Sequence, residues 1–262
     1  MSARERAVVV GASGGVGRFL VKTLAKDSRV EIVTAIVRKK REEAVIKSFY
    51  LLDGDPEGDE AIKKVQEQQI SYDELTDEPT EAGIFQGHTI GFSGLAIYTA
   101  DATSEEHFRQ VEITYNLRAA KMMKLGGVHS YSYLSGMGAS QKPPGLFTPL
   151  FSKVKGEAER RLQTEVGFER ANVVRPPGIF DRPADSKPAN KLESFLNKNM
   201  RFILNTNLGV TAEGLAQAMV HSALSRKNTD VWEPPQIKIA QQEYLQDMML
   251  LKKNQTSSAS SN

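Results

Sequence analysis

The 262 residues carry 34 Lys and Arg against 32 Asp and Glu, and the resulting net charge of +2 selects neither nucleic acid nor an anionic membrane surface as a partner. The absence of cysteine excludes disulfides, thiolate metal sites and cysteine nucleophiles, and fits a reducing compartment. No apolar run reaches the roughly 18 residues that a membrane span requires, and the length suits one large domain with a full core plus a small appended lobe.

Ala7-Val8-Val9-Val10 reads as a strand ending at a glycine. Because it begins about six residues in, a signal or transit peptide has no room ahead of it, and the expected location is cytoplasmic. Gly11, Gly14 and Gly17 then recur as G-x-x-G-x-x-G, with Gly15 beside them, and Val16, Phe19, Leu20 and Leu24 predict a helix over 16–26. Strand, glycine loop and helix suit the pyrophosphate of a dinucleotide, which must approach the backbone closely and rest its charge on amides at a helix N-terminus. Gly11 makes the turn, Gly14 and Gly15 admit the phosphates, and Gly17 lets the helix pack on the strand. Ser13 and Val16 complete the candidate phosphate loop.

A second strand over 31–37 is followed by Arg38-Lys39-Lys40-Arg41. An acidic residue at this place accepts from the ribose 2′-hydroxyl of NAD, whereas cations suit a 2′-phosphate, so NADP(H) is expected over NAD(H), with Arg38 and Lys39 as contacts. The charged stretch 42–69 reads as loop and short polar helix, and 69–73 as a third strand. A fourth strand over 87–94 delivers Ser93, Gly94 and Leu95 beneath the cofactor. Residues 104–124 form a helix stopped by Gly126-Gly127. A fifth strand, 128–135, places Tyr131 and Tyr133 on one face.

The Gly- and Pro-rich segment 136–149 is an irregular crossing, after which 150–162 is helical, with Lys155 in its middle and Glu157, Glu159, Arg160 and Arg161 on the wet side. A sixth strand, 168–174, breaks at Arg175-Pro176-Pro177-Gly178, an extended path suited to lying over a flat ring such as nicotinamide. The stretch 181–209 is mixed and polar, ending in Phe202-Ile203-Leu204. Thr211 caps a helix to about 224, 237–239 reads as a last strand, 243–252 as a last helix, and the Ser-rich tail 254–262 as disordered. His88, His107, His129 and His221 stand apart, without metal-ligand spacing. The expected fold is a doubly wound parallel α/β sheet of the Rossmann kind: a dinucleotide-binding domain over 1–180, and a small C-terminal lobe over 181–253 packed on it.

Gly11-Ala12-Ser13-Gly14-Gly15-Val16-Gly17, Val37-Arg38-Lys39, Phe85-Gln86-Gly87-His88, Leu134-Ser135, Val154-Lys155-Gly156-Glu157 and Arg175-Pro176-Pro177-Gly178 with Asp181-Arg182 together resemble the short-chain dehydrogenase/reductases. The resemblance is to their atypical members, the Tat-interacting oxidoreductase-like proteins, and it covers roughly 6–182 well. It implies a catalytic set in which a Ser orients the substrate carbonyl and a Tyr passes it a proton. A Lys four residues after the Tyr holds the ribose hydroxyls and lowers the Tyr pKa. Ser135 matches the serine and Lys155 the lysine, but the tyrosine position is Phe151. One helical turn separates 151 from 155, so the geometry survives while the proton donor does not. Tyr98, Tyr131 and Tyr133 are possible substitutes. Two functions follow: a cofactor-dependent regulatory or interaction protein with weak or no turnover, or an NADPH-dependent reductase of small carbonyl compounds with another donor. Neither calls for nucleic acid or a membrane span.

Overall fold

The computed structural model describes residues 3–79, 81–142, 145, 148–183, 209–225 and 231–259. Its centre is a seven-stranded parallel sheet in the order β3-β2-β1-β4-β5-β6-β9. The strands are β1 (Glu5–Val10), β2 (Val30–Val37), β3 (Val65–Gln69), β4 (Ile90–Ser93), β5 (Ser130–Leu134), β6 (Arg170–Val174) and β9 (Val231–Trp232). A separate parallel pair joins β7 (Gly178–Phe180) to β8 (Gly209–Thr211). The chain winds from β1 outward to β3, then returns to place β4 against the other side of β1. That reversal opens a crevice beyond the carboxyl ends of β1 and β4, where open parallel sheets bind ligands.

β1 is buried on both faces, and its alternation divides the core. Ala7 and Val9 join one apolar cluster, Val8 and Val10 the other. On the first face lie α1 (Gly17–Lys26), α7 (Ala212–Leu224) and α8 (Pro234–Ala259), through Leu20, Leu24, Leu215, Met219, Ile237 and Tyr244; α2 (Glu43–Phe49) and α3 (Gly58–Ile62) flank them. On the second lie α4 (Glu105–Arg109), α5 (Asn116–Leu125) and α6 (Leu150–Glu165), through Phe108, Leu117, Met123, Val154 and Leu162. Three layers around two apolar seams result.

Several local expectations are corrected. β3 is Val65–Gln69, and Tyr72–Glu74 forms a short 3-10 turn instead of a strand; the strand is polar because it is an edge, and its buried residue is Glu67. Residues 237–239 are helical, since Ile237, Ala240 and Tyr244 bury one stripe of α8 and Pro234-Pro235 open it. That helix continues through Ala259 where disorder was expected, and Thr256 Oγ1 turns back to donate to Lys252 and Lys253 carbonyls. Thr211 caps α7 as expected, accepting from Gly214 N at 3.0 Å. β9 and α8 extend the main sheet and its helical layer, while Phe202-Ile203-Leu204 lies outside the described residues. Among the described residues no helix is long and apolar enough to cross a membrane.

Candidate dinucleotide site

At the end of β1, Gly11 turns with φ +71°, and a Cβ there would lie 2.5 Å from Leu95 N. Only glycine fits the turn and the close approach of the loop after β4. A Cβ on Gly17 would come within 2.0 Å of Gly11 O, so α1 starts directly on the turn. Val16 caps α1 without a side-chain hydrogen bond, and the first turn carries no acid, which leaves the positive end of the helix suited to an anion. Gly14, Gly15 and Val16 line a cavity of about 610 Å³. Gly11 N donates to Tyr72 Oη at 3.2 Å, and Tyr72 stacks on Tyr115; burial pushes the Tyr72 phenol up, against the nearby charge of Arg38.

The four cations after β2 divide. Arg41 pairs with buried Glu67 at 2.7 Å and lies 3.3 Å over the Phe49 ring, which Arg18 covers at 3.9 Å. Glu67 also accepts from Tyr50 Oη at 2.8 Å, and burial and Glu67 together push the Tyr50 phenol far up. Arg38, Lys39 and Lys40 are exposed.

Ser93 closes β4 and donates to Asn116 Oδ1 at 2.5 Å; Asn116 Nδ2 in turn donates to Leu95 O and Val111 O at 3.2 and 3.1 Å. Asn116 begins α5 directly after a π-helical turn, Gln110–Tyr115. That turn carries Glu112 inward: its carboxylate lines the cavity, accepts from Ile97 N at 2.9 Å and meets Lys155 Nζ at 2.7 Å, both side chains being almost fully buried. Lys155 Nζ also donates to Leu134 O at 3.2 Å and to Tyr133 Oη at 3.5 Å.

Ser135 Oγ donates to Glu159 Oε1 at 2.5 Å. Glu159 was read as solvated, yet it is wholly buried and grips Arg175 through Nε at 2.9 Å and Nη2 at 2.5 Å. Arg175 reaches on to Glu233 at 2.8 Å, and both carboxylates, Glu159 first, hold its guanidinium well above its ordinary pKa. A buried carboxylate needs such a partner, and bidentate Arg is the best available.

The cavity brings together Gly14, Gly15, Val16, Gly94, Ser135, Phe151, Lys155, Pro177 and Gly178. Gly11, Ser13, Gly17, Ser93 and Leu95 flank it as the frame of its two loops, and Arg38 and Lys39 stand outside its wall. Phe151 packs its ring on Gly136 and lines the cavity. Of the three substitute tyrosines, Tyr98 lines the cavity, whereas Tyr131 and Tyr133 are core residues. Sequence reasoning missed Tyr72, Glu112, Asn116, Glu159 and Arg175. The Asn116 bonds form only on folding, but a lone glutamate facing the apolar stripe of the helix at 104–124 was a visible signal. The glycine turn, the anion-ready helix end and the cavity fit a dinucleotide.

No family model matches the chain. Protein HTATIP2 of Rattus norvegicus is 30% identical over 184 residues, which cover 70% of this chain and 66% of that protein, just under two thirds. Protein FMP52, mitochondrial, of Debaryomyces hansenii is 25% identical over 221 residues, covering 83% of this chain and 87% of that protein. Relatives of the same name from Candida albicans and other fungi are also called mitochondrial; they point away from the cytoplasm and overturn that expectation, for which the position of the first strand was no guide. Among solved structures, a UDP-N-acetylglucosamine 4-epimerase of Methanobrevibacter ruminantium matches with a TM-score of 0.61 at 15% identity, covering 87% of this chain and 75% of its own. That similarity confirms the fold. By its relatives and its architecture, the chain is similar to the atypical short-chain dehydrogenase/reductase-like, NAD(P)-binding proteins.

Proposed function

We propose that the chain binds NADP(H) in preference to NAD(H) and serves as a cofactor-dependent regulatory or interaction protein with weak or no turnover. The observation that carries this reading is Phe151, on the cavity wall one turn before Lys155. A bound nicotinamide supplies or accepts hydride, but carbonyl reduction also needs a proton, and a benzyl side chain has none to give. Ser135 supports the same reading, because its hydroxyl is already given to Glu159.

In this reading Gly11, Ser13, Gly14, Gly15, Val16 and Gly17 form the pyrophosphate loop, and Arg38 and Lys39 take the 2′-phosphate. Ser93, Gly94 and Leu95 lie beneath the cofactor, Lys155 faces the ribose, and Pro177 and Gly178 the nicotinamide. The exposed cations support the cofactor preference: one charge-assisted phosphate contact supplies the ~1.4 kcal/mol that separates tenfold affinities. Calorimetry should give NADPH at least about tenfold tighter binding than NADH, and Arg38→Asp should erase the difference. Equal affinities in the wild type would remove Arg38 from the site.

A second reading, an active reductase of small carbonyl compounds, is favoured by Tyr98, whose ring lines the same cavity with Arg182 5.2 Å from its centre. It requires Tyr98→Phe to stop NADPH consumption, whereas the first reading requires no consumption to stop.

A further inference from the structure

Phe151 offers this cavity no proton, and a second residue on its wall, Glu112, bears on the lysine beside it. A lysine at the cavity wall acidifies a neighbouring hydroxyl only through an uncompensated positive charge. Here Lys155 Nζ lies 2.7 Å from Glu112 Oε2 as an ion pair and donates to Leu134 O (3.2 Å) and Tyr133 Oη (3.5 Å). The carboxylate is fixed in turn, since Ile97 N donates to its other oxygen at 2.9 Å and the π-helical turn Gln110–Tyr115 holds its backbone. Both charged side chains are at most 4% exposed, so water does little to weaken the pairing.

We propose that Glu112 is a positioning residue that withdraws Lys155 from proton-transfer chemistry: its carboxylate neutralises the ammonium, so that a hydroxyl restored at position 151 stays a weak acid until the carboxylate is removed. This rests on the dinucleotide reading of the cavity and adds to it the expectation that Phe151→Tyr alone does not supply the acid. The molecule already contains a comparable case. Tyr133 has its phenol beside the same ammonium, yet burial first, and then the Glu112 and Glu159 carboxylates, push that phenol well above its ordinary value. Seen from a neighbouring hydroxyl, the lysine is screened.

The test is the ionisation of a phenol at position 151, read without nucleotide as the ultraviolet difference spectrum of each tyrosine variant against its Phe151 parent. In Phe151→Tyr the added phenol should titrate at or above the ordinary value of about 10. In Glu112→Gln/Phe151→Tyr it should titrate at least about one pH unit lower, and NADPH-dependent carbonyl reduction should rise at least about tenfold over Phe151→Tyr. A phenol in the single variant that titrates below about 10 would overturn the proposal, as would equal titrations in the two variants. Loss of a buried partner is costly, so the double variant must first show the native circular dichroism; should it not fold, the single variant alone decides. Calorimetry with NADPH on the wild type examines the dinucleotide reading separately, so failure of either leaves the other distinguishable.

Discussion

At Gly14 the backbone tolerates what a ligand would not. A Cβ there would stand 3.2 Å from Gly11 O, a contact relieved by a few tenths of an ångström, and the residue needs no positive φ. Gly14→Val should therefore fold, with a melting temperature lowered by a few degrees, because the strain amounts to about 1 kcal/mol. Its methyl groups would occupy the cavity wall where phosphates must approach, and NADPH binding should be lost in calorimetry. Retained binding in a folded variant would assign the loop to some other purpose. Gly11 and Gly17 are legible because each expresses a backbone requirement that no other residue meets. Glu112 and Glu159 were less so: a helix-borne glutamate reads as solvated, and only the tertiary arrival of Lys155 and Arg175 makes burial affordable.

Among the elements, legibility followed the strength of the local pattern. β1, α1 and β2 were read almost residue for residue, since a run of valines, a glycine turn and a helical stripe agree with one another. β3 was misplaced because Val65-Gln66-Glu67-Gln68-Gln69 has the composition of a loop and becomes a strand through pairing with β2. Ile237 and Ile239 alternate with Lys238 as a strand would, too short a window to show the helical stripe. The π-helical turn has no local signature; it persists where Asn116 ties its carbonyls to the loop after β4.

His88, just ahead of β4, carries a prediction at this scale. Its Nε2 lies 2.7 Å from Thr34 Oγ1 on β2, and its Nδ1 lies 3.0 Å from Phe85 O. Burial depresses its pKa despite the Phe85 carbonyl. A base whose folded pKa lies below its unfolded one takes up its proton in the unfolded chain first. Its contribution is therefore whole above about pH 6.5 and is lost as pH falls toward the folded value. The urea midpoint should drop between about pH 7.5 and 5.5, and His88→Gln should flatten that part of the profile. An identical slope in the variant would assign the pH dependence to other groups.

For the whole molecule, the winding of the sheet decides where chemistry collects. The carboxyl ends of β1, β4, β5 and β6 bring the glycine loop, Ser93, Ser135 and the Arg175-Pro176-Pro177-Gly178 segment to one edge, and α6 carries Phe151 and Lys155 across it. The architecture is a Rossmann-like doubly wound sheet with its cavity at the carboxyl edge, and in the proposed reading Phe151 leaves that cavity without the expected proton donor. The account thus separates binding from turnover, and one recording examines both: the fluorescence of NADPH mixed with the wild-type protein and a panel of aldehydes, ketones and quinones, followed in time. Binding in the cavity should enhance and blue-shift the emission at once, and the signal should then hold steady or fall only slowly with each carbonyl compound. A signal that rises and then decays rapidly with any member of the panel, or one that never rises, would contradict the account.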